Sequence, residues 1–180
     1  IMKGYMLDSQ GKKVLTFKPE TDTRDGNVVS SRALPITRNA IVVPKDDDGS
    51  IMSMAVWKHN PDVILIDELQ FFTVKQVEEL ADISITYDVD IYAYGLMISY
   101  NGRMFESVKR AIECGFRLNT IDMSCDHCYN DATHHLLYID GVVKYDGNPI
   151  NVEDTKDKEQ KYESVCYQCY IRAIDVANMK

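Results

Sequence analysis

Four of the five cysteines fall into two pairs, Cys125-x-x-Cys128 and Cys166-x-x-Cys169, with residues 129–165 between them. Each pair can present two thiolates to one ion, and four thiolates complete a closed tetrahedral shell around Zn²⁺. A closed shell leaves no position for a water molecule. The expected chemistry is therefore structural: zinc would hold a segment too small and too polar to fold by itself. A redox dithiol is the competing use of a C-x-x-C pair. His127 lies inside the first pair and His134-His135 follow it, but four thiols already satisfy the ion. Cys114 stands apart and reads as a packing residue.

The second chemical signal is acidic. Val63-Ile64-Leu65-Ile66 runs into Asp67-Glu68 and then Leu69-Gln70-Phe71-Phe72. An apolar strand ending in Asp-Glu has the form of the element that, in P-loop NTPases, sets the first acid near Mg²⁺. The carboxylate that follows is placed to take a nucleophile's proton. Ligands of open α/β sheets bind at the carboxyl ends of strands, where these two acids would sit. A plain acidic turn closing a strand is the alternative.

The elements that must position these groups follow from periodicity and punctuation. Residues 1–8 read as the last turns of a helix that Gly11 stops. Val14-Leu15-Thr16-Phe17 reads as a strand ended by Lys18-Pro19, and Ala40–Val43 as another. Asp46-Asp47-Asp48-Gly49 reads as a solvated loop and Ser50–Lys58 as a helix. Asp62–Ile66 is apolar at every position from Val63, which predicts a strand buried on both faces in a parallel sheet. Thr73 with Gln76 matches a capping box, and Val74, Val77, Leu80 and Ala81 form a helical stripe behind it. Asp90–Tyr94 reads as a strand. Phe105, Val108, Ala111 and Ile112 form a second stripe that Gly115 closes. Leu118–Met123 reads as a last strand. Alternating strands and helices to about residue 124 predict an α/β domain with a mainly parallel sheet. Beyond Ser124 come short strand-like pieces, a Gly147-Asn148-Pro149 turn, and a charged segment, Glu153–Lys161, expected to be mobile.

Composition narrows the partners. The chain has 180 residues, 45% hydrophobic and 27% charged, which suits a folded domain with a small appendage rather than a disordered chain. Twenty basic against 28 acidic side chains give a net charge of −8. That balance lacks the footprint of a nucleic-acid polymer binder, though a single nucleotide can still bind through a local site or a metal ion. No apolar run is long enough to span a membrane and no signal segment is evident, so a soluble, cytoplasmic protein is expected.

Several motifs, in order along the chain, resemble those of the zinc-containing type of thymidine kinase. Asp67-Glu68-Leu69-Gln70-Phe71-Phe72 resembles its D-E-x-Q-F-F signature. Gly11-Lys12-Lys13-Val14 through Lys18-Pro19, with Asp22-Thr23-Arg24, resembles its G-K-K-V…F-K-P…D-T-R segment. Tyr94-Gly95-Leu96 with Phe105-Glu106-Ser107 resembles its Y-G-L…F-x-G/S stretch. Cys125-x-x-Cys128, Ala132, Tyr162 and Ser164-Val165-Cys166-x-x-Cys169-Tyr170 resemble its zinc and lasso region.

The resemblance implies a P-loop NTPase-like (RecA-like) mainly parallel sheet with helices on both faces over residues 1–124. A small zinc-ribbon-like lid carrying a substrate lasso would follow over 125–180. It implies transfer of the ATP γ-phosphate to the 5′-hydroxyl of thymidine. Glu68 would be the general base. Asp67 would help hold Mg²⁺, with Gln70, Asp22, Thr23 and Arg24 around the phosphates. Phe71, Leu96, Tyr100 and Phe105 would line the base pocket, and Val152 and Tyr162 would come from the lasso. Cys125, Cys128, Cys166 and Cys169 would hold the zinc, and the enzyme would be a homotetramer. Tyr100 stands where the family usually has Phe, so its hydroxyl needs a partner or water. The family's G-x-x-x-x-G-K-[ST] phosphate loop does not occur in these 180 residues, and Ile1 onward resembles the helix that would follow it. The first strand and that loop are therefore expected upstream of Ile1. A non-catalytic nucleotide-binding or regulatory homologue is the alternative. The segment 152–161 is also longer and more charged than the family's short Gly-containing lasso.

Overall fold

In the computed structural model, residues 1–21, 26–31, 34–147 and 159–179 are described. They form two units, one of Ile1–Leu96 with Glu106–Phe116, the other of Met97–Phe105 with Arg117–Lys180.

The first unit is built on apolar strands. Helix α1 (Met2–Ser9) ends before Gly11, which turns the chain at φ 77°. Strand β1 (Val14–Pro19) follows, then β2 (Val28–Ser30) and β3 (Thr37–Asn39), which pair as an antiparallel hairpin, then β4 (Ile41–Val43). Helix α2 (Ser50–His59), β5 (Val63–Ile66), a 3₁₀ turn (Leu69–Phe71), α3 (Val74–Tyr87), β6 (Asp90–Ala93) and α4 (Glu106–Glu113) complete it. The main sheet has the order β4-β1-β5-β6 with every pairing parallel. All four residues of β5 are buried. Val63 and Leu65 face Leu7 of α1, while Ile64 and Ile66, which alternate to the opposite face, are fully buried. Both faces of β5 are thus covered, as its unbroken apolar run predicts.

Strand order changes direction between β1 and β5: the chain passes from β1 to β4 on one side, then to β5 and β6 on the other. The carboxyl ends of β1 and β5 at such a switch are where open α/β sheets take their ligands.

Helix α3 starts as its sequence predicts. Thr73 Oγ1 accepts from the Gln76 N–H, and Gln76 Oε1 accepts from the Thr73 N–H. Its buried stripe is Gln76, Val77, Leu80 and Ile83; Val74 is exposed instead. The buried face of α4 is Ser107, Val108 and Ala111, with Ile112 turned out. The acidic loop before α2 is more than solvated. Asp47 carboxylate oxygens accept from the Gly49 N–H and the Ser50 hydroxyl, closing the turn into the helix.

The second unit contains an antiparallel sheet of order β8-β7-β9, formed by β7 (His134–Ile139), β8 (Val142–Lys144) and β9 (Gln160–Val165), followed by helix α5 (Tyr167–Asn178). The expected strand at Leu118–Met123 does not form. Leu118, Ile121 and Met123 are 54%, 78% and 55% exposed. No described residue pairs with the run as a strand, and apolar residues without a ladder partner do not make one. The charged segment expected to be mobile divides: Gln160 and Lys161 open β9, whereas residues 153–158, like Asn148-Pro149, lie outside the described residues. Among the described residues no helix is long and apolar enough to cross a membrane.

Candidate functional site

Asp67 and Glu68 stand at the carboxyl end of β5, each half-buried. The backbone there is held from both flanking strands. The Asp67 N–H donates to the Phe17 carbonyl of β1 at 3.0 Å, and the Leu69 N–H to the Tyr94 carbonyl beyond β6 at 2.9 Å. Between these ties Glu68 takes the left-handed conformation, φ 51° and ψ 48°. A non-glycine residue holds that conformation only where its surroundings enforce it.

Gln70 is 2% exposed, with its amide engaged at both ends. Nε2 donates to Glu68 Oε2 at 2.5 Å, and Oε1 accepts from the Leu96 N–H at 3.0 Å. Gly95 makes this possible: a Cβ there would collide with Gln70 Oε1 and lie 3.0 Å from the Leu69 nitrogen. Phe71 is half-buried in the 3₁₀ turn, and Leu96 is 39% exposed. Asp67, Glu68, Gln70, Phe71 and Leu96 all belong to the first unit. Asp22, Thr23, Arg24 and Val152 lie outside the described residues.

The remaining expected site residues belong to the second unit. Tyr100 and Phe105 are buried, and Tyr162 of β9 is half-exposed. The Tyr100 hydroxyl has found its partner: it donates to the Asp146 carbonyl at 3.2 Å. Burial pushes its pKa up. The Tyr100 carbonyl accepts from the buried Tyr170 hydroxyl at 2.9 Å. Gly102, at φ 74°, leaves room for that ring, since a Cβ would stand 2.8 Å from the Tyr170 oxygen. Sequence reasoning missed Tyr170 and Gly95 as supporting residues. Their roles depend on approaches made by residues distant along the chain.

The four cysteines meet. Their sulfurs lie within 4.8 Å of one another, and Cys128 is 3.6 Å from both Cys166 and Cys169. A tetrahedron with Zn–S bonds of about 2.3 Å has S···S edges of about 3.8 Å, so the cluster has the size of a zinc shell. None forms a disulfide. Local structure explains the approach. Cys166 caps α5 and Cys169 lies in its first turn, which puts both on one side of the helix. The first pair sits in a turn where Cys125 exchanges backbone bonds with Asn130 and Tyr129. The Asp126 N–H donates to the Ser164 carbonyl, and its carboxylate accepts from the Ser164 N–H, fastening one pair to the other.

Burial opposes ionisation of Cys125, but N–H donors of Cys166, His127 and Cys128 outweigh it and bring the thiol down to about 6. Cys169, hydrogen-bonded to the Cys128 thiol and buried, is pushed up to about 12. Nearby histidines are engaged elsewhere: His127 Nε2 lies 2.7 Å from Glu163, and His134 Nδ1 lies 2.8 Å from Thr133 Oγ1. Four thiols therefore make up the donor set, which fits Zn²⁺.

A family model described as thymidine kinase matches residues 1–170. The chain belongs to the thymidine kinase family. Among its relatives, a thymidine kinase of Francisella tularensis subsp. tularensis is 32% identical over 166 residues, covering 90% of this chain and 83% of the relative. One of Streptococcus pyogenes is 29% identical over 92% of this chain and 85% of the relative. One of the microbe Encephalitozoon cuniculi is 28% identical over 89% and 74%. Membership agrees with the parallel α/β sheet and the cysteine cluster, and makes the chain a kinase. Nothing in these comparisons favours a non-catalytic homologue.

Proposed function

We propose that this chain transfers the γ-phosphoryl group of ATP to the 5′-hydroxyl of thymidine, giving thymidine monophosphate. The observation that carries the reading is a carboxylate pair, Asp67–Glu68, held at the switch-point end of a buried parallel strand in a chain of the thymidine kinase family.

Glu68 is the general base: it orients the 5′-hydroxyl and accepts its proton as the oxygen attacks phosphorus in line. The transition state of such transfers is loose, so positioning and charge neutralisation supply most of the rate. Asp67, with its hard carboxylate oxygens, would help hold Mg²⁺, and the ion would supply charge neutralisation at the phosphates. Asp22, Thr23 and Arg24 are assigned to the ATP side by resemblance. The Arg24 guanidinium suits a developing phosphate charge because it offers a rigid fork of donors. Phe71, Leu96, Tyr100, Phe105, Val152 and Tyr162 are assigned to thymidine on the same ground. Residues 1–124 would act as the kinase core and 125–180 as the zinc-held lid. Family resemblance also supports a homotetramer and a cytoplasmic role in nucleotide salvage.

Transfer of radiolabelled γ-phosphate from ATP across a panel of nucleosides, using the full-length protein, tests the reading. Thymidine is expected to be the preferred acceptor. Labelling of other acceptors with none of thymidine overturns it.

A further inference from the structure

We propose that Gln70 is the positioning residue of the general base: its side-chain amide holds the Glu68 carboxylate and is itself held by the main chain at Leu96. The role rests on the reading of Glu68 given above, and the bonding that supports it stands independently of that reading.

Gln70 is 2% exposed, and a buried primary amide must find its partners inside the protein. The Leu96 N–H can only donate, so the amide oxygen must face it, at 3.0 Å. That settles which way the amide points. Nε2 is left facing Glu68 Oε2 at 2.5 Å, a charge-assisted bond between an N–H donor and a carboxylate. The backbone on which both side chains sit is fixed as well. The Phe71 N–H donates to the Glu68 carbonyl at 3.0 Å, and the Leu69 N–H to the Tyr94 carbonyl. With the turn pinned and Glu68 in the left-handed region, the side chain leaves the backbone in one direction, and the amide selects its rotamer. Gly95 completes the device, because any Cβ there would displace the Gln70 oxygen.

A Gln that serves ATP would make its productive contact with a phosphate oxygen, and its loss would appear in the KM for ATP. A Gln that serves Glu68 affects turnover, because a base displaced by about 1 Å can lose about 10²-fold in rate. Gln70→Met removes the amide at similar volume. Gln70→Glu keeps an acceptor for the Leu96 N–H but replaces the donor facing Glu68 with a second carboxyl oxygen. The two carboxyls then share a proton, as close acid pairs do.

The test is steady-state kinetics on the full-length protein and its Gln70→Met, Gln70→Glu, Glu68→Gln and Glu68→Gln/Gln70→Met variants. Melting curves establish that each is folded. Gln70→Met is expected to lower kcat about 10- to 100-fold, with both KM values within about two-fold. In the Glu68→Gln background it should cost no more than about two-fold further, since residues acting as a unit are not additive. Gln70→Glu should move the acidic limb of the kcat–pH profile up by about one unit or more; a residue that only braces backbone would leave that limb in place. If Gln70→Met fails to fold, Gln70→Glu decides. A raised ATP KM with kcat preserved, a full additional loss in the Glu68→Gln background, or an unmoved acidic limb overturns the role of Gln70. Wild-type protein that phosphorylates no thymidine overturns the functional reading first. In that event, the ¹⁵N-labelled Gln70 amide resonances still report the contact, by shifting on Glu68→Gln substitution if it exists and staying put if it does not.

Discussion

Glu68 shows how much of a catalytic residue is made by its neighbours. Its type and its place after an apolar run mark it in the sequence, but its direction is set by a left-handed backbone and a buried glutamine. Glu68→Gln preserves shape and hydrogen-bonding capacity while removing the base. It is expected to lower kcat by about 10²-fold or more with little change in thymidine binding; turnover close to wild type would end the assignment. Tyr100 makes a different point. A hydroxyl added to a buried ring is tolerated because the Asp146 carbonyl accepts it. Tyr100→Phe should destabilise the protein by about 1 kcal/mol or less, since the exposed turn around Asp146 lets water replace the lost donor. Urea denaturation of the zinc-loaded protein checks the value.

Among the elements, α3 carries more than its own start. Gln76 completes the capping box and, through Nε2, donates to the Pro44 and Asp47 carbonyls, closing the loop between β4 and α2. Thr73→Ala removes one cap bond and should cost about 1 kcal/mol. Gln76→Ala removes the reciprocal cap bond and both loop ties, leaving the Pro44 carbonyl with the Asp47 N–H alone, and empties a buried site, so about 2–4 kcal/mol is expected. Equal losses for the two variants in chemical denaturation would mean that the loop ties contribute nothing. The β2–β3 hairpin is secured in a related way. Arg38 of β3 donates to Thr16 Oγ1 in β1 at 2.9 Å and to Asp8 of α1 at 2.6 Å, and its guanidinium packs where only Gly4 leaves room. No local pattern in residues 26–39 announces that tie.

At the scale of the molecule, the metal is expected to decide whether the second unit folds. Its core is small and includes three of the ligands themselves, Cys125, Cys166 and Cys169, packed with Leu136, Val165 and Tyr170. The full-length protein should contain one Zn²⁺ per chain. Chelation, or Cys166→Ser, should abolish hydrogen-exchange protection across residues 134–139 and 160–178; full protection without metal would exclude a structural ion. Zinc uptake should also depend on pH. The ligand thiols of the unfolded, metal-free segment have ordinary pKa values of about 8.5, so at neutral pH they are mostly protonated and must release protons to bind. Apparent zinc affinity should therefore rise from pH 6.5 to pH 7.5, measured by competition with a chromophoric chelator.

Local rules sufficed for much of this protein. The parallel strands β1, β5 and β6, the capping box at Thr73, the helix stop at Gly11 and the four-thiol cluster are legible from residue type and spacing. Each depends on chemistry within a few residues, or on a ligand set that only one common ion satisfies. Other features were settled by approaches between distant segments. Leu118–Met123 has the composition of a strand but no ladder partner among the described residues, so it stays outside the sheets and exposed. Gln70 looks like a polar residue free to meet a phosphate until Leu96 and Gly95 arrive from the end of β6 and enclose its amide. Tyr170 follows a zinc ligand in the chain, yet its hydroxyl binds the carbonyl of Tyr100, seventy residues earlier. Spacing reveals which groups can do chemistry. Only packing decides which of them are already committed to one another, because a hydrogen bond depends on distance and direction in space and not on position along the chain.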